Sequence, residues 1–267
     1  MIIIGERLNA TKKSVGEALR AGDVDFVHRE ARAQTEAGAH YVDCNAGRDP
    51  QTERETMQWL VRTAREATDL PLSIDSANPD VLAAGLDVYE GPPPLLNSAT
   101  ADAKMGRVLD LAASAGAGVV CLCIGAAGMP KKPGDREAYA ETLITAARER
   151  GIPPERIFVD PVVETVSASL EEPVGRYMLT AIGSIRESHP EVHLVAGVSN
   201  VSFGLPNRKL LNRTFLGLCI GAGLDAAIID PCDPHMIGTI LAAEALVGLD
   251  EGCMNYVMAS REGKLEV

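Results

Sequence analysis

Asp and Asn recur in this sequence at the ends of short apolar runs: Asp43 and Asn45 in HYVDCNAG, Asp75 in LSIDSAN, Asn97 in LLNSAT, Asp160 in FVDP, Asn200 in GVSN and Asp230 in IIDP. Glu6, Arg7 and Asn9 follow the first such run, MIIIG. A ring of carboxylates and amides with few cations suits a neutral heterocycle rich in N–H donors. A carboxylate accepts two parallel hydrogen bonds from an amino-pyrimidinone edge, each charge-assisted bond contributing about 1.5–3 kcal/mol, and Asn both donates and accepts. Asp75, Asp160 and Asp230 would equally suit a hard cation such as Mg²⁺, and composition alone leaves both chemistries open. Asp and Asn also cap helix N-termini. Ser and Thr serve as well there, so a nearly unbroken series of carboxylates and amides asks for more than capping.

What is missing narrows the chemistry further. No Lys falls within or at the end of an apolar run, which argues against a Schiff-base aldolase. The five His, His28, His40, His189, His193 and His235, form no His-x-His pair. No GxGxxG follows the first run, which leaves a dinucleotide fold without support. The segment after the seventh run carries Arg208 and Lys209 and the one after the eighth is acidic, a poor match to a phosphate site at the last two strands of a barrel.

The elements that must position these residues repeat as a unit: apolar strand, polar turn, amphipathic helix, closing Gly. Gly38, Gly116 and Gly223 each follow Ala and introduce the next strand, as expected of helix-ending glycines in the left-handed conformation. Strands are predicted at Ile2–Gly5, His40–Cys44, Leu72–Asp75, Leu95–Ser98, Val119–Ile124, Ile157–Asp160, Leu194–Ser199 and Ala226–Asp230. Helices are predicted at Asp49–Ala67, Ala103–Ala115, Asp135–Arg150, Pro173–Glu187 and Asn207–Ala222. The strands are continuous apolar runs, as in a parallel sheet covered on both faces. Eight β-then-α units in 267 residues point to a single-domain (β/α)₈ TIM barrel spanning residues 1–267, whose βα loops gather at one face and carry function. Reading the strand ends is therefore reading the site. Only the fifth, at Gly125, lacks a polar side chain.

A net charge of −12 disfavours nucleic acid and anionic membranes, which attract Lys and Arg. No apolar run nears the roughly 20 residues that span a bilayer, and MIIIGERLN reads as a buried strand rather than a signal peptide. Six irregularly spaced Cys suggest reduced core thiols in a cytoplasmic protein. Cys121 and Cys123 share one face of a strand, but a structural zinc site needs a second pair. Asp233-Pro234-His235-Met236-Ile237-Gly238 matches the Asp-x-His-x-x-Gly pattern of cobalamin-binding domains. It lacks the separate α/β domain of that motif, and Asp233 reads as the N-cap of the last helix.

The stretch Gly197–Arg208, GVSNVSFGLPNR, is far from generic. With IIIGERLNAT, DCNAG, SIDSAN, LLNSAT, FVDPVV and LNRTFLGLCIGAGLDAAIIDPCD, in this order over almost the whole chain, it resembles the pterin-binding barrel of cobalamin-dependent methyltransferases, including the folate domain of methionine synthase. Within that family it looks most like the methyltetrahydrofolate:corrinoid protein methyltransferases. The resemblance implies that Asp75, Asn97 and Asp160 hold the amino-pyrimidinone edge of the pterin, and that Asn200 lies beside the methyl-bearing nitrogen. It places Gly197, Ser199, Phe203 and Arg208 along the same pocket, with Asp43, Asn45, Glu6 and Asn9 at neighbouring strand ends. It also implies a homodimer, methyltetrahydrofolate or tetrahydrofolate as substrate, no bound metal, and a corrinoid carried by a separate protein. Gly125-Ala126 stands where relatives can carry Asn, and Phe203 where some have Gln. These differences bear on the subgroup and leave the pterin site alone.

The resemblance frames a chemical problem. A methyl on a tertiary amine does not leave as an amide anion, so the nitrogen must gain a proton or a strong hydrogen bond at the transition state. Asn200 is the expected donor and organiser, with Asp160 or Asp75 completing a proton relay. The direction of transfer is left open. Rivals are a dihydropteroate synthase-like enzyme, a docking module for pterin or corrinoid protein without chemistry of its own, and a metal-dependent barrel. The first calls for a basic seventh strand end, where this chain has Val-Ser-Asn.

Overall fold

A strand lying between a packed lumen and a shell of helices is buried on both faces, and sequence with no polar alternation satisfies that position. The computed structural model describes residues 1–47, 49–168 and 173–265. Its strands are β1 (Ile2–Asn9), β2 (Tyr41–Asn45), β3 (Leu72–Asp75), β4 (Leu95–Ala101), β5 (Gly118–Gly125), β6 (Ile157–Asp160), β7 (His193–Gly197) and β8 (Ala226–Ile229). They pair in parallel in sequence order, and β8 returns to β1, closing the barrel. The helices are α1 (Lys13–Ala21), α2 (Val24–Glu36), α3 (Glu53–Arg65), α4 (Pro79–Leu86), α5 (Met105–Ala115), α6 (Asp135–Glu149), α7 (Val174–Ser188), α8 (Arg208–Gly221), α9 (Pro234–Leu246) and α10 (Met254–Arg261). Among the described residues no helix is long and apolar enough to cross a membrane.

Two cores follow from this closure. The larger one lies between strands and helices. The smaller one, Ile4, Leu95, Val120, Phe158, Val195 and Ala226 with Ile2, Tyr41 and Ile228 against them, fills the lumen. Phe158 is its largest member and meets Tyr41 edge-on at 6.2 Å. Side chains alternate across a strand, so the residues two further along also point inward: Asp43 past Tyr41, Asn97 past Leu95, Asp160 past Phe158, Gly197 past Val195 and Asp230 past Ile228. The lumen is thus apolar below and polar above, and the polar layer opens at the C-terminal mouth.

Several boundaries differ from the expectation. β1 continues to Asn9 because its pairing with β2 slips between Gly5 and Leu8 and then resumes, with Asn9 opposite Asn45. The slip places polar Glu6 and Arg7 mid-strand, where they imitate a strand end. A Cβ on Gly5 would come within 2.3 Å of Gln34 Oε1, so a larger residue here would displace that buried amide. β7 stops at Gly197, and Ser199 and Asn200 lie in a 3₁₀ turn over Val198–Ser202. β8 ends at Ile229, so Asp230 stands just beyond it. Asp233 caps α9, accepting the His235 N–H at 3.1 Å, but α9 is followed by α10 and is not the last helix. Four thiols, Cys44, Cys121, Cys123 and Cys219, are buried as expected, whereas Cys232 is half-buried and Cys253 exposed in the α9–α10 connection. Burial pushes the Cys121 thiol up to about 12, which keeps it protonated and unreactive.

Candidate functional site

The first four strands carry the site as one lateral row. In register, Asn9 lies beside Asn45, Asn45 beside Asp75, and Asp75 beside Asn97. Neighbours in a parallel register share a face, so the three residues on β2–β4 present carboxylate and amides side by side. Asn45 Nδ2 donates to Asp75 Oδ2 at 2.8 Å. One layer deeper, Asp43 accepts the Ser73 hydroxyl at 2.7 Å and the Asn97 amide. Burial, and then the Asp75 charge, push the Asp43 carboxyl well above its usual range, since desolvation and a like charge both disfavour the anion. Both influences disfavour the charged form of Asp43.

Across the lumen, Asp160 ends β6 and is buried. Desolvation pushes its carboxyl up to about 7, against the opposing pull of the Val162 and Gly197 N–H groups and the Arg136 charge. The Val162 N–H donates to Asp160 Oδ1 at 2.7 Å. Beneath this bend Arg136, buried in the first turn of α6, donates from Nε to the Pro161 carbonyl at 2.7 Å and from Nη2 to Glu164 at 2.8 Å. The loop after β6 is thus held from inside by the site carboxylate and from outside by a guanidinium.

The third part is the loop after β7. Gly197 keeps the chain thin: a Cβ there would come within 3.3 Å of Asn200 Nδ2. Asn200 is exposed at the mouth. Ser199 Oγ donates to Glu6 Oε1 at 3.2 Å, joining the loop to β1 across the end of β8. Burial raises the Glu6 carboxyl, partly offset by Lys12. Arg208 turns back on its own loop, donating from Nη2 to the Ser199 carbonyl at 2.7 Å and from Nε to Ser202 Oγ at 3.1 Å. Its guanidinium carbon lies 5.8 Å from the centroid of the Phe203 ring, and Phe203 itself is 68% exposed.

The predicted residues therefore fall into groups. Asp43, Asn45, Asp75 and Asn97 form one wall. Asp160, Gly197, Ser199, Asn200 and Glu6 bring β6, β7 and β1 to the same mouth. Asn9 is drawn into its own turn, accepting the Thr11 N–H at 3.0 Å and the Thr11 hydroxyl at 2.6 Å. Arg208 acts on the turn that carries Asn200. Asp230 faces Arg7 Nη1 at 3.1 Å, and Arg7 Nε reaches Glu30 at 2.7 Å, so Asp230 closes β8 onto β1. Among the described residues no three His, Cys, Asp or Glu side chains converge as a metal-ligand set. The capping alternative fails for the ring: Asn9, Asn45, Asp160 and Asp230 each accept the N–H two residues on, bending the βα loop rather than opening a helix. Ser73 and Arg136 escaped the sequence reading. Ser73 was visible as the residue two before Asp75, on the same face. Arg136 gave no signal beyond a charge on a helix.

A closed parallel barrel with an apolar plug and a hydrogen-bonding upper lumen defines a TIM barrel with a polar C-terminal mouth. The chain belongs to the pterin binding enzyme family, whose model matches residues 5–230. It is similar to the methylcorrinoid:tetrahydrofolate methyltransferase of Eubacterium limosum, at 37% identity over 99% of this chain and 98% of that protein. It is 32% identical to the methionine synthase of Mycobacterium tuberculosis over 86% of this chain, which spans 20% of that longer protein. In structure it resembles the dihydropteroate synthase of Xanthomonas albilineans, with a TM-score of 0.70, 20% identity, and coverage of 94% of this chain and 92% of that one. At that identity the likeness concerns the fold alone.

Proposed function

We propose that this protein moves a methyl group between N5 of tetrahydrofolate and the cobalt of a corrinoid carried on a separate protein. The full-length match to a methylcorrinoid:tetrahydrofolate methyltransferase carries this reading, and the lumen suits it. Asp75, Asn97 and Asp160 hold the amino-pyrimidinone edge. Asn45 fixes the Asp75 carboxylate through its 2.8 Å hydrogen bond. Asp43, one layer below, has its charged form disfavoured by burial and by the Asp75 charge. No bound metal enters the reaction on the protein's side, because the cobalt arrives as substrate. The protein works as a cytoplasmic homodimer, with Leu210 and Leu218 of α8 and Leu246 of α9, all exposed, on the face that pairing would cover.

The direction follows the relative's name, from methylcorrinoid to tetrahydrofolate. The N5 lone pair forms the new N–C bond, the Co–C pair stays on the metal as Co(I), and the N5 proton leaves. Asn200, held at the mouth by Gly197 and by the Arg208 contacts to its turn, orients N5 through its amide. Asp160, with its carboxyl at about 7, accepts the departing proton through a water relay, because a base titrating near the working pH balances availability against strength. Run backwards, the same groups return the proton as methyl leaves for Co(I). The test is spectroscopic: methylcob(III)alamin on its carrier protein, mixed with tetrahydrofolate and this protein, converts to the Co(I) spectrum with formation of methyltetrahydrofolate.

A further inference from the structure

Helix α8 carries a polar residue on its inner face. Asn212 lies one turn beyond Arg208, and residues four apart share a face of a helix. That face continues through Phe215, Leu216 and Cys219, all buried. An amide turned inward on an otherwise apolar face needs a partner, and Asn212, 8% exposed, finds one in Ser202. The wholly buried Ser202 hydroxyl donates to Asn212 Oδ1 at 2.6 Å. A serine hydroxyl has one proton and two acceptor sites. With the proton committed to Asn212, Oγ presents a lone pair, and Arg208 Nε donates to it at 3.1 Å. Arg208 Nη2 in turn donates to the Ser199 carbonyl at 2.7 Å. Asn212, Ser202, Arg208 and Ser199 thus form one hydrogen-bonded chain, running from the core side of α8 to the mouth.

The chain closes around Asn200. Ser199 and Ser202 bracket it in the 3₁₀ turn Val198–Ser202, and a single guanidinium bonds to both. The turn needs that brace, because 3₁₀ hydrogen bonds are poorly aligned and Asn200 is exposed. The backbone holds only its far side, where the Phe203 N–H donates to the Asn200 carbonyl at 3.1 Å and the Leu205 N–H to the Ser202 carbonyl at 3.0 Å. We propose that Ser202 and Asn212 are positioning residues for methyl transfer: they fix the plane of the Arg208 guanidinium, which fixes the direction in which the Asn200 amide points. A planar guanidinium held at two nitrogens keeps one orientation, whereas one held at Nη2 alone swivels. Both residues are buried behind the turn and act through Arg208 and Asn200. A buried polar pair that merely satisfied itself would serve stability and leave the reaction untouched, and the two roles predict different kinetics.

This role rests on the functional reading above, which the wild type tests separately. Single-turnover transfer from methylcob(III)alamin on its carrier protein to tetrahydrofolate is measured beside titrations of tetrahydrofolate binding. The variants are Ser202→Ala, Asn212→Leu, Asn200→Ala and the two doubles that combine Asn200→Ala with each of the others. Ser202→Ala and Asn212→Leu are each expected to slow transfer by about 10–100-fold, the effect of a misdirected group. Tetrahydrofolate affinity is expected to stay within about twofold, as when only the transition state loses a contact. In the Asn200→Ala background each is expected to cost less than about twofold more, because residues that act through one another do not add. Full additivity with Asn200→Ala, equal losses in rate and affinity, or a wild-type rate in both single variants overturns the positioning role and leaves the pair as core packing. Should Asn212→Leu fail to fold, as judged by its melting curve, Ser202→Ala, which removes a single oxygen, decides alone. Failure of both to fold overturns the role as well. Absence of transfer by a folded wild type with tetrahydrofolate bound overturns the functional reading, and the positioning role with it.

Discussion

Asp160 accepts the Val162 N–H at 2.7 Å, and Val162 is held at φ 67°. A β-branched residue is a genuine outlier in the left-handed region, and such strain persists only where the surroundings over-determine it. Here the site carboxylate holds one side of the bend and Arg136 the other. Replacing Val162 by Gly, which adopts that φ without penalty, is expected to leave the fold intact and loosen Asp160. Loss of tetrahydrofolate affinity with an unchanged melting temperature would show that the strain serves the site, and unchanged affinity by titration would show that it does not.

The Asp160 carboxyl titrates at about 7 in the folded chain and near 3.9, roughly, when unfolded. A raised folded pKa favours the fold while the group is protonated, so that stability is complete below about pH 4 and is lost as pH rises through about 7. Asp160→Asn does not titrate. Its unfolding free energy relative to wild type is expected to improve by about 2–3 kcal/mol between about pH 5 and pH 8, read from denaturant midpoints. A difference that stays constant over this range would place the carboxyl pKa elsewhere. Weaker pterin binding is expected at every pH, because the amide mismatches the ring donors.

Removing one partner of a buried ion pair strands the other. Arg136→Met, which leaves Glu164 and the Pro161 carbonyl without their donor, is expected to cost about 3–5 kcal/mol. Adding Glu164→Gln is expected to recover part of it. A loss below about 1 kcal/mol for the single variant, the range of an exposed pair, would mean that the guanidinium does not hold this loop.

Asn200→Ala is expected to lower the rate of methyl transfer by about 10²–10³-fold, as for loss of one preorganised donor, with tetrahydrofolate affinity changed little. Equal losses in rate and affinity would reduce Asn200 to a binding contact.

Much of this architecture was legible in the chain. The continuous apolar runs marked eight strands, three of them introduced by Ala-Gly, and Gly38 and Gly116 do take the left-handed conformation, at φ 84° and 59°. Asp75 and Asp160 end β3 and β6 where the pattern placed them. The slip in β1 was hidden, because a bulge that turns Glu6 and Arg7 mid-strand reads locally as a strand end. α1 was hidden behind the strand-to-helix pattern, since two helices separate β1 from β2. Arg208 illustrates a deeper limit. Its position beside the site is set by sequence, but its choice of the Ser199 carbonyl as partner depends on a 3₁₀ turn that no periodicity announces. Arg136 depends in the same way on contacts across 25 residues.

The central claim is methyl exchange between pterin nitrogen and cobalt, and its most direct measurement follows the visible spectrum of the cobalt. Methylcob(III)alamin on a corrinoid protein is mixed anaerobically with tetrahydrofolate and catalytic amounts of this protein. The Co(I) band is expected to rise as methyltetrahydrofolate forms in equal amount, and the reverse mixture is expected to approach the same equilibrium. Spectra that stay unchanged in both directions, with tetrahydrofolate demonstrably bound, would contradict the account.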